Sequence, residues 1–340
     1  MSAGRPAARR GPSRPRAGAA VLVLVAVPVV AAWPVPSGAG AAGPVEQARQ
    51  AARTATFSAR VQVEWEDGGG RHSTSVDVRA GTGLVRVAGA PGTAPQLGDG
   101  WLLVTRAVPG TTPGALPPAA EAKYDIERGP GPEVAGRPTT LVVLRTAGEV
   151  RETLAVDDTT GLVLRRELFA GSARPVRTVT VTELDTQPPV LPAGSSVAAD
   201  DRVHPVAPAT LGSPYRVPEQ LDGGYRRVGA FRRDGVVHAT YSDGLHGLSL
   251  FVQPGRLDRD RLPAGGEAVR IGATAALRYT WAGGEVVTWE SGPTVRTLVG
   301  DAAAAEVIDA ARSVPAVARP SALERLRSAS RQVAAVLGAG

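Results

Sequence analysis

The chain has 340 residues, long enough for two ordinary domains, with a formal net charge of +6 and no cysteine. The positive excess lies at the ends, because residues 1–44 include five arginines and no acid and residues 319–340 add +3, which leaves −2 on residues 45–318. The composition therefore excludes disulfides, a thiol-linked lipid anchor and an extended basic surface for nucleic acid.

Residues 1–42 are predicted to be a signal peptide. Five arginines precede an apolar run at Ala17–Trp33, and small residues follow at 38–42, which is the pattern of a secretory signal. The run is short for a membrane span and is interrupted by Pro28, so we expect cleavage near Ala41, with an uncleaved membrane anchor as the alternative. The chain is therefore predicted to be exported, to the periplasm or another extracytoplasmic space.

Residues 43–187 predict a first β-rich domain. After a short helix at 44–54, the clearest strand runs over Phe57–Trp65, where apolar residues alternate with polar ones. Such alternation is typical of an antiparallel sheet with one face in water. Asp157–Gly161 is predicted to be a hairpin turn with Gly161 in a left-handed conformation. Further strands are predicted at 72–79, 83–88, 101–106, 139–146, 150–156, 162–169 and 177–184.

The apolar side of the Phe57–Trp65 strand has two interpretations. It forms the core of the first domain, or it lines an open concave cavity that accepts acyl chains, with tryptophans as wide walls. The candidate cavity residues are Phe57, Val61, Val63, Trp65 and Trp101.

Residues 188–214 are predicted to be a linker, because they hold six prolines and no sustained periodicity. A second, β-rich domain is predicted at 215–315. It ends in a helix at 302–312 that begins after an Asp301 N-cap. Its strands are predicted at 225–231, 236–241, 247–253, 269–281, 286–289 and 295–299.

Residues 316–340 are predicted to form a basic amphipathic tail helix. Ser321 and Glu324 have the spacing of a capping box, and three arginines lie beside a partial apolar stripe. Such a helix can pack on the second domain, bind a partner or lie on an anionic membrane surface. We expect it to become ordered on a membrane or a partner.

The segment Tyr241–Pro254 is predicted to be a strand, a Ser-Asp-Gly turn and a second strand. His238 and His246 flank the turn, but a serine inside a hairpin turn lacks the strand-to-helix elbow of a serine nucleophile. Asp234 lies four residues before His238, and no third metal ligand is near them in sequence. We therefore expect a solvated turn, and we predict no catalytic residue, no metal and no cofactor.

Three segments resemble, in order, the RseB/MucB family. Residues 52–64 resemble its first helix-to-strand pattern. Residues 123–165 contain "KYDI", "VAGRP", "LAVD" and "TGLVLR", which is similar to the run that closes the family's N-terminal domain. The third segment combines "VPEQLDGGY" at 217–225 with "YSDGLHGLSLFVQP" at 241–254. Together the segments extend over most of residues 45–314.

This resemblance implies an α+β fold of two β-rich domains. The first would be a LolA-like curved antiparallel sheet with helices around an apolar cavity, and the second a smaller antiparallel sheet with a C-terminal helix. Members of the family are non-enzymatic regulators that bind the extracytoplasmic part of a transmembrane anti-sigma factor, modulate its proteolysis and respond to lipid-like signals. The partner-binding residues implied for this chain are Tyr241, Ser242, Asp243, Gly244 and Leu245. The alternative is a lipid or lipoprotein carrier that uses only the first domain's cavity.

Overall fold

The computed structural model describes residues 57–81, 84–89, 101–105, 123–187, 204–243 and 245–317. These residues form two antiparallel sheets and one α-helix, which confirms the predicted β-rich α+β fold. The predicted signal peptide, the helix at 44–54 and all but the first two residues of the tail at 316–340 lie outside the described residues. Within the described ranges, we find no helix long and apolar enough to cross a membrane.

The N-terminal sheet has nine antiparallel strands in the order β4-β3-β2-β1-β9-β8-β7-β6-β5. The first strand, β1, pairs with its neighbour β2 and also with the last strand β9, so that Ser58 lies opposite Asp185. The strands are β1 (Phe57–Asp67), β2 (Gly70–Gly81), β3 (Leu84–Gly89), β4 (Trp101–Thr105), β5 (Asp125–Pro130), β6 (Thr139–Thr146), β7 (Glu149–Asp157), β8 (Val163–Phe169) and β9 (Pro175–Asp185).

The C-terminal sheet has the order β10-β12-β13-β14-β18-β17-β16-β15, and β11 pairs with the free side of β12 near its start. Helix α1 (Ala304–Ser313) follows the last strand. The strands are β10 (His204–Pro205), β11 (Gln220–Leu221), β12 (Tyr225–Arg233), β13 (Val236–Ser242), β14 (Gly247–Pro254), β15 (Glu267–Ile271), β16 (Thr274–Trp281), β17 (Gly284–Ser291) and β18 (Thr294–Gly300).

Turn chemistry explains two of the hairpins. Gly161 adopts a φ of +71°, and Asp157 Oδ2 accepts a hydrogen bond from the backbone N–H of Thr160 at 3.0 Å, as a tight turn requires. Between β12 and β13, Asp234 and Gly235 have φ values of +47° and +81°, the pattern of a two-residue Asp-Gly turn. Asp234 is thus a turn residue.

Two predicted elements differ from the structure. The strand predicted at 269–281 is two strands, because Gly272 turns the chain with a φ of +57° between β15 and β16. The helix has Ala303 as its N-cap residue instead of Asp301. The Asp301 carboxylate accepts a hydrogen bond from the backbone N–H of Gly247 at 2.8 Å, so it joins strand ends instead of capping the helix.

Three short strands were absent from the sequence prediction. β5, β10 and β11 lie in polar or proline-containing segments that lack period-two alternation. β10 pairs with β12, so the C-terminal sheet begins inside the predicted linker at 188–214.

The two faces of the C-terminal sheet are covered differently. Its first face packs against α1, where Val307, Ala310 and Ala311 are fully buried. Its second face contributes to a core shared with the N-terminal sheet. The side chains of the second face in that shared core are Phe251, Trp281, Ala282, Val286 and Val299. The apolar face of the N-terminal sheet is therefore buried against the second sheet.

Candidate functional site

Asp243 organises the turn between β13 and β14. Its Oδ1 accepts hydrogen bonds from the backbone N–H groups of Leu245 at 2.9 Å and His246 at 2.7 Å. The Ser242 hydroxyl donates to the carbonyl oxygen of His246 at 3.0 Å. One carboxylate oxygen thus fixes the turn and leaves the other free to reach a neighbour.

The second oxygen of Asp243 contacts the N-terminal half of the chain. Asp243 Oδ2 accepts a hydrogen bond from the Tyr124 hydroxyl at 2.6 Å and a further one from the Lys123 ammonium. Leu245 is fully buried among apolar side chains of β6, β7 and β8, including Val142 and Leu154. The turn therefore joins the two sheets.

The expectation of a solvated turn is wrong. Tyr241, Ser242, Asp243 and Leu245 are each at most 2% exposed, and Gly244 lies outside the described residues. The physical reason is that the partners of Asp243 lie about 120 positions earlier in the sequence, where local pattern analysis does not pair them. Direct contact of these side chains with a partner protein stays a prediction, and in this arrangement they are covered by the chain itself.

Three charged residues on adjacent strands of the N-terminal sheet face the second sheet. Glu152 lies 3.3 Å from Nε2 of His246, and it also pairs with Arg166. The Arg166 guanidinium lies 3.2 Å from the Asp301 carboxylate, and Arg177 donates to the backbone carbonyl of Asp301 at 3.1 Å. Buried charged groups of the N-terminal sheet therefore have partners both within that sheet and in the C-terminal half of the chain.

A third group of contacts reaches helix α1. The Glu306 carboxylate pairs with Arg151 of β7 and lies 3.6 Å from the Lys123 ammonium. The Tyr225 hydroxyl donates to Glu306 at 3.4 Å. We call the whole set the inter-sheet charge cluster: Lys123, Tyr124, Arg151, Glu152, Arg166 and Arg177 from the N-terminal half, and Asp243, His246, Asp301 and Glu306 from the C-terminal half.

The cluster keeps Asp243 and Glu306 ionised. Burial alone would raise the pKa of Asp243, but the hydrogen bond and charge of His246, followed by Lys123, outweigh it and hold that pKa well below its usual range. For Glu306, burial is likewise outweighed by His246, Lys123 and Arg151, so its pKa is lowered. Burial lowers the pKa of Arg166 to about 9, which still leaves it charged at neutral pH. Burial and then the charge of Asp243 raise the pKa of Tyr124, so that it stays a neutral donor.

Asp243, His246 and Glu306 also have the donor types of a metal site. One ligand atom from each lies within 4.8 Å of the others. The Lys123 ammonium, however, contacts Asp243 and lies 3.6 Å from Glu306, so the chain's own lysine supplies the cation at this point. The residues are arranged for an internal ion pair with Lys123.

The predicted cavity residues lie in the shared core. Phe57, Val61 and Val63 are at most 2% exposed and belong to the same cluster as Trp281. Trp65 is partly buried and its ring stacks on His72 with the ring centroids 5.3 Å apart. The side chain of Trp101 lies outside the described residues. A lipid cavity stays a prediction, and Phe57, Val61 and Val63 share one core with side chains of the second sheet here.

Sequence reasoning missed the charged residues of β7, β8 and β9, although a signal for them exists. Side chains two residues apart on a strand share one face of the sheet. Leu154 and Leu164 lie two residues from Glu152 and Arg166 and are buried, so these two charged residues, like Arg177, lie on the buried face. A charge in the buried register of a strand needs a partner. The pattern therefore predicts a charged partner surface, without saying which segment supplies it.

His238 gives the shared face of the C-terminal sheet a pH dependence. Its ring stacks on Phe251 at a centroid distance of 4.3 Å, and Nε2 lies 3.1 Å from the Ser249 hydroxyl. Burial lowers the pKa of His238 from 6.5 to about 4. In the unfolded chain His238 binds a proton below pH 6.5, whereas in the folded chain it does so only below about pH 4. Between these values the unfolded state therefore binds more protons, so the free energy of unfolding falls as the pH falls.

We expect His238→Phe to remove this loss of stability at low pH. Phenylalanine keeps the stack on Phe251 but does not titrate, so the free energy of unfolding should vary less with pH between about 6.5 and 4. The slope difference should approach about 1.4 kcal/mol per pH unit at most. Urea unfolding at several pH values measures it, and equal slopes for the variant and the wild type would contradict the assignment.

The fold and this site define a β-rich protein whose two antiparallel sheets are joined by a buried charge cluster.

No protein-family model matches the chain, and no curated protein matches it. Solved structures of MucB are similar. MucB alone is 19% identical over 83% of this chain and 99% of MucB, with a TM-score of 0.49. MucB in complex with MucA(peri) is 20% identical over 82% of this chain and 100% of that chain, with a TM-score of 0.45. In the MucA/MucB complex of Pseudomonas aeruginosa, the matched chain is 18% identical over 81% of this chain and 98% of its own length, with a TM-score of 0.42.

Proposed function

We propose that this chain is an exported, non-enzymatic regulator that binds the extracytoplasmic part of a transmembrane anti-sigma factor and modulates its proteolysis. The observation that carries the proposal is a contact between the segments that resemble the RseB/MucB family. Lys123 and Tyr124 of the first domain's segment both bond to Asp243 of the second domain's segment. Two resembling motifs far apart in the sequence thus form one site. MucB occurs bound to MucA in two of the similar solved structures, a complex of the kind that we propose.

The role of the turn in partner binding is indirect in this proposal. Asp243 and Leu245 are buried between the sheets, so they fix the position of one sheet against the other. The partner then contacts the surface that both sheets present together. A binding surface formed by both sheets depends on their relative position. The buried turn therefore affects partner binding because it fixes that position.

Lipid binding is a further part of the proposal. The apolar side chains of β1 that face the second sheet, among them Phe57 and Val63, offer an acyl chain a suitable surface only when the sheets separate. The tail at 316–340, of which the structure describes only the first two residues, is proposed to contact the membrane surface through its arginines.

Binding to the anti-sigma factor is directly testable. We expect the purified chain to bind the extracytoplasmic part of a single-span anti-sigma factor from the same organism with a Kd of about 1 μM or tighter. Asp243→Asn should weaken this binding by at least about tenfold through the loss of a buried pair. Biolayer interferometry measures both, with protease protection of the partner as a second readout.

The control is Asp309→Asn, which removes an exposed carboxylate of α1 that pairs with Arg312 at 2.7 Å. It should leave the affinity unchanged. No binding by the wild-type chain contradicts the proposed function. Full affinity of a folded Asp243→Asn variant contradicts only the role of the turn.

A further inference from the structure

The charge cluster and the shared apolar core form one interface with two parts. Among the described residues, the C-terminal half contributes five buried side chains to the shared core, and Val236 and Tyr279 pack against it. The turn adds Leu245 to a neighbouring apolar cluster. An apolar contact of this size favours closure of the two sheets but does not make them inseparable. The closed arrangement therefore depends strongly on the charged groups beside it.

The charged groups make closure conditional. Glu152 and Asp243 are fully buried, and Arg166 and Arg177 are each 5% exposed. A complete buried ion pair gains about as much as its desolvation costs, whereas a pair that loses one partner leaves an uncompensated buried charge. When the sheets separate, water solvates all these groups. The cluster therefore favours the closed state only while each buried charged group keeps its partner.

We propose that the inter-sheet charge cluster is a latch: it holds the two sheets closed over their apolar faces, and the loss of one member opens the interface while each sheet stays folded. The pattern of backbone hydrogen bonds indicates that each sheet can stay folded when the interface between them opens. The only hydrogen bonds that we find between the two halves in the described residues involve side chains of the cluster, and every strand ladder lies within one sheet. This inference concerns the chain alone and does not depend on the identity of a partner.

The chain provides its own reporter of opening. Lys123 is the only lysine in the sequence, and its side chain is 20% exposed in the closed arrangement. An amine-reactive reagent such as sulfosuccinimidyl acetate therefore modifies Lys123 and the N-terminal amine, which peptide mass spectrometry separates. The ammonium is engaged with Asp243 when the latch is closed, so acylation should require opening.

The test compares the acylation rate of Lys123 in the wild type, Arg166→Gln and Arg151→Gln. Removing a nearby cation disfavours the neutral, reactive form of an amine, so faster acylation in these variants cannot arise from the charge change alone. We expect at least about a tenfold increase in the rate for Arg166→Gln and a smaller increase for Arg151→Gln, whose side chain is 22% exposed. The control Arg312→Gln removes an exposed arginine of α1 and should leave the rate unchanged.

Amide hydrogen exchange separates opening from unfolding. The latch requires faster acylation of Lys123 with retained protection of the β1–β9 and β13–β14 ladders. Unchanged acylation in both cluster variants overturns the proposal. Faster acylation together with lost protection in either ladder also overturns it, because the cluster would then be a determinant of folding.

Discussion

Replacing Asp243 by alanine is expected to lower the free energy of unfolding by about 3–5 kcal/mol. The change removes one carboxylate that serves four donors. The backbone N–H groups of Leu245 and His246 lose their acceptor, and the Tyr124 hydroxyl and the Lys123 ammonium lose theirs. Buried donors without an acceptor keep their desolvation cost.

Chemical denaturation in urea, followed by tryptophan fluorescence, measures this change. The matched control is Asp309→Ala, since Asp309 is an exposed acid of α1 whose side chain is 57% accessible. It should alter the free energy of unfolding by less than about 0.5 kcal/mol. A loss below about 1 kcal/mol for Asp243→Ala would show that the turn does not hold the two sheets together.

Gly284→Ala is expected to destabilise the C-terminal sheet by more than about 3 kcal/mol. Gly284 begins β17 with a φ of +144°, which side chains rarely permit. A Cβ atom at this position would lie 2.0 Å from the carbonyl oxygen of Gly300 and 3.2 Å from the Cα atom of Asp301. Because these obstacles are backbone atoms of the paired strand end, β18 itself would have to move.

The control for Gly284 is Gly148→Ala. Gly148 also has a positive φ, +82°, but nothing lies within 4 Å of the position that a Cβ atom would occupy there. It should therefore lose only the conformational strain of a left-handed residue, about 1–2 kcal/mol. Thermal unfolding of the two variants in parallel measures the difference, and equal losses would mean that the close approach to Gly300 is unimportant.

The sequence predicts the long strands of this fold well because they alternate. The predicted strand at 139–146 coincides with β6, and the predicted strand over Phe57–Trp65 lies within β1. The turn between β15 and β16 was missed because Gly272 is flanked by apolar and β-branched residues that continue the strand pattern. Edge strands such as β5 were missed because an exposed edge needs no apolar alternation.

The site was less predictable than the fold. The motif around Asp243 could be recognised from its residues, but its partners could not, since Lys123 and Glu152 lie in other segments and no local rule pairs them. The Asp301 N-cap prediction failed for the same reason. An aspartate just before a helix is often its N-cap residue. The Asp301 carboxylate instead accepts a hydrogen bond from the backbone N–H of Gly247 and pairs with Arg166. Long-range partners compete with local ones, and the sequence shows only the local ones.

The pairing of β1 with β9 has a consequence for how the chain folds. These two strands are neighbours in the N-terminal sheet although they lie at its two sequence ends. The ladder between them closes the largest loop in that sheet, and such non-local pairing is slow because the entropy of loop closure opposes it. The longest-range ladder of the C-terminal sheet, β14 with β18, places Leu248 opposite Gly300 and therefore closes a shorter loop. Before β9 pairs with it, β1 has unpaired backbone hydrogen-bonding groups along one edge and an exposed apolar face. A chain that ends before residue 175 therefore cannot complete its first sheet.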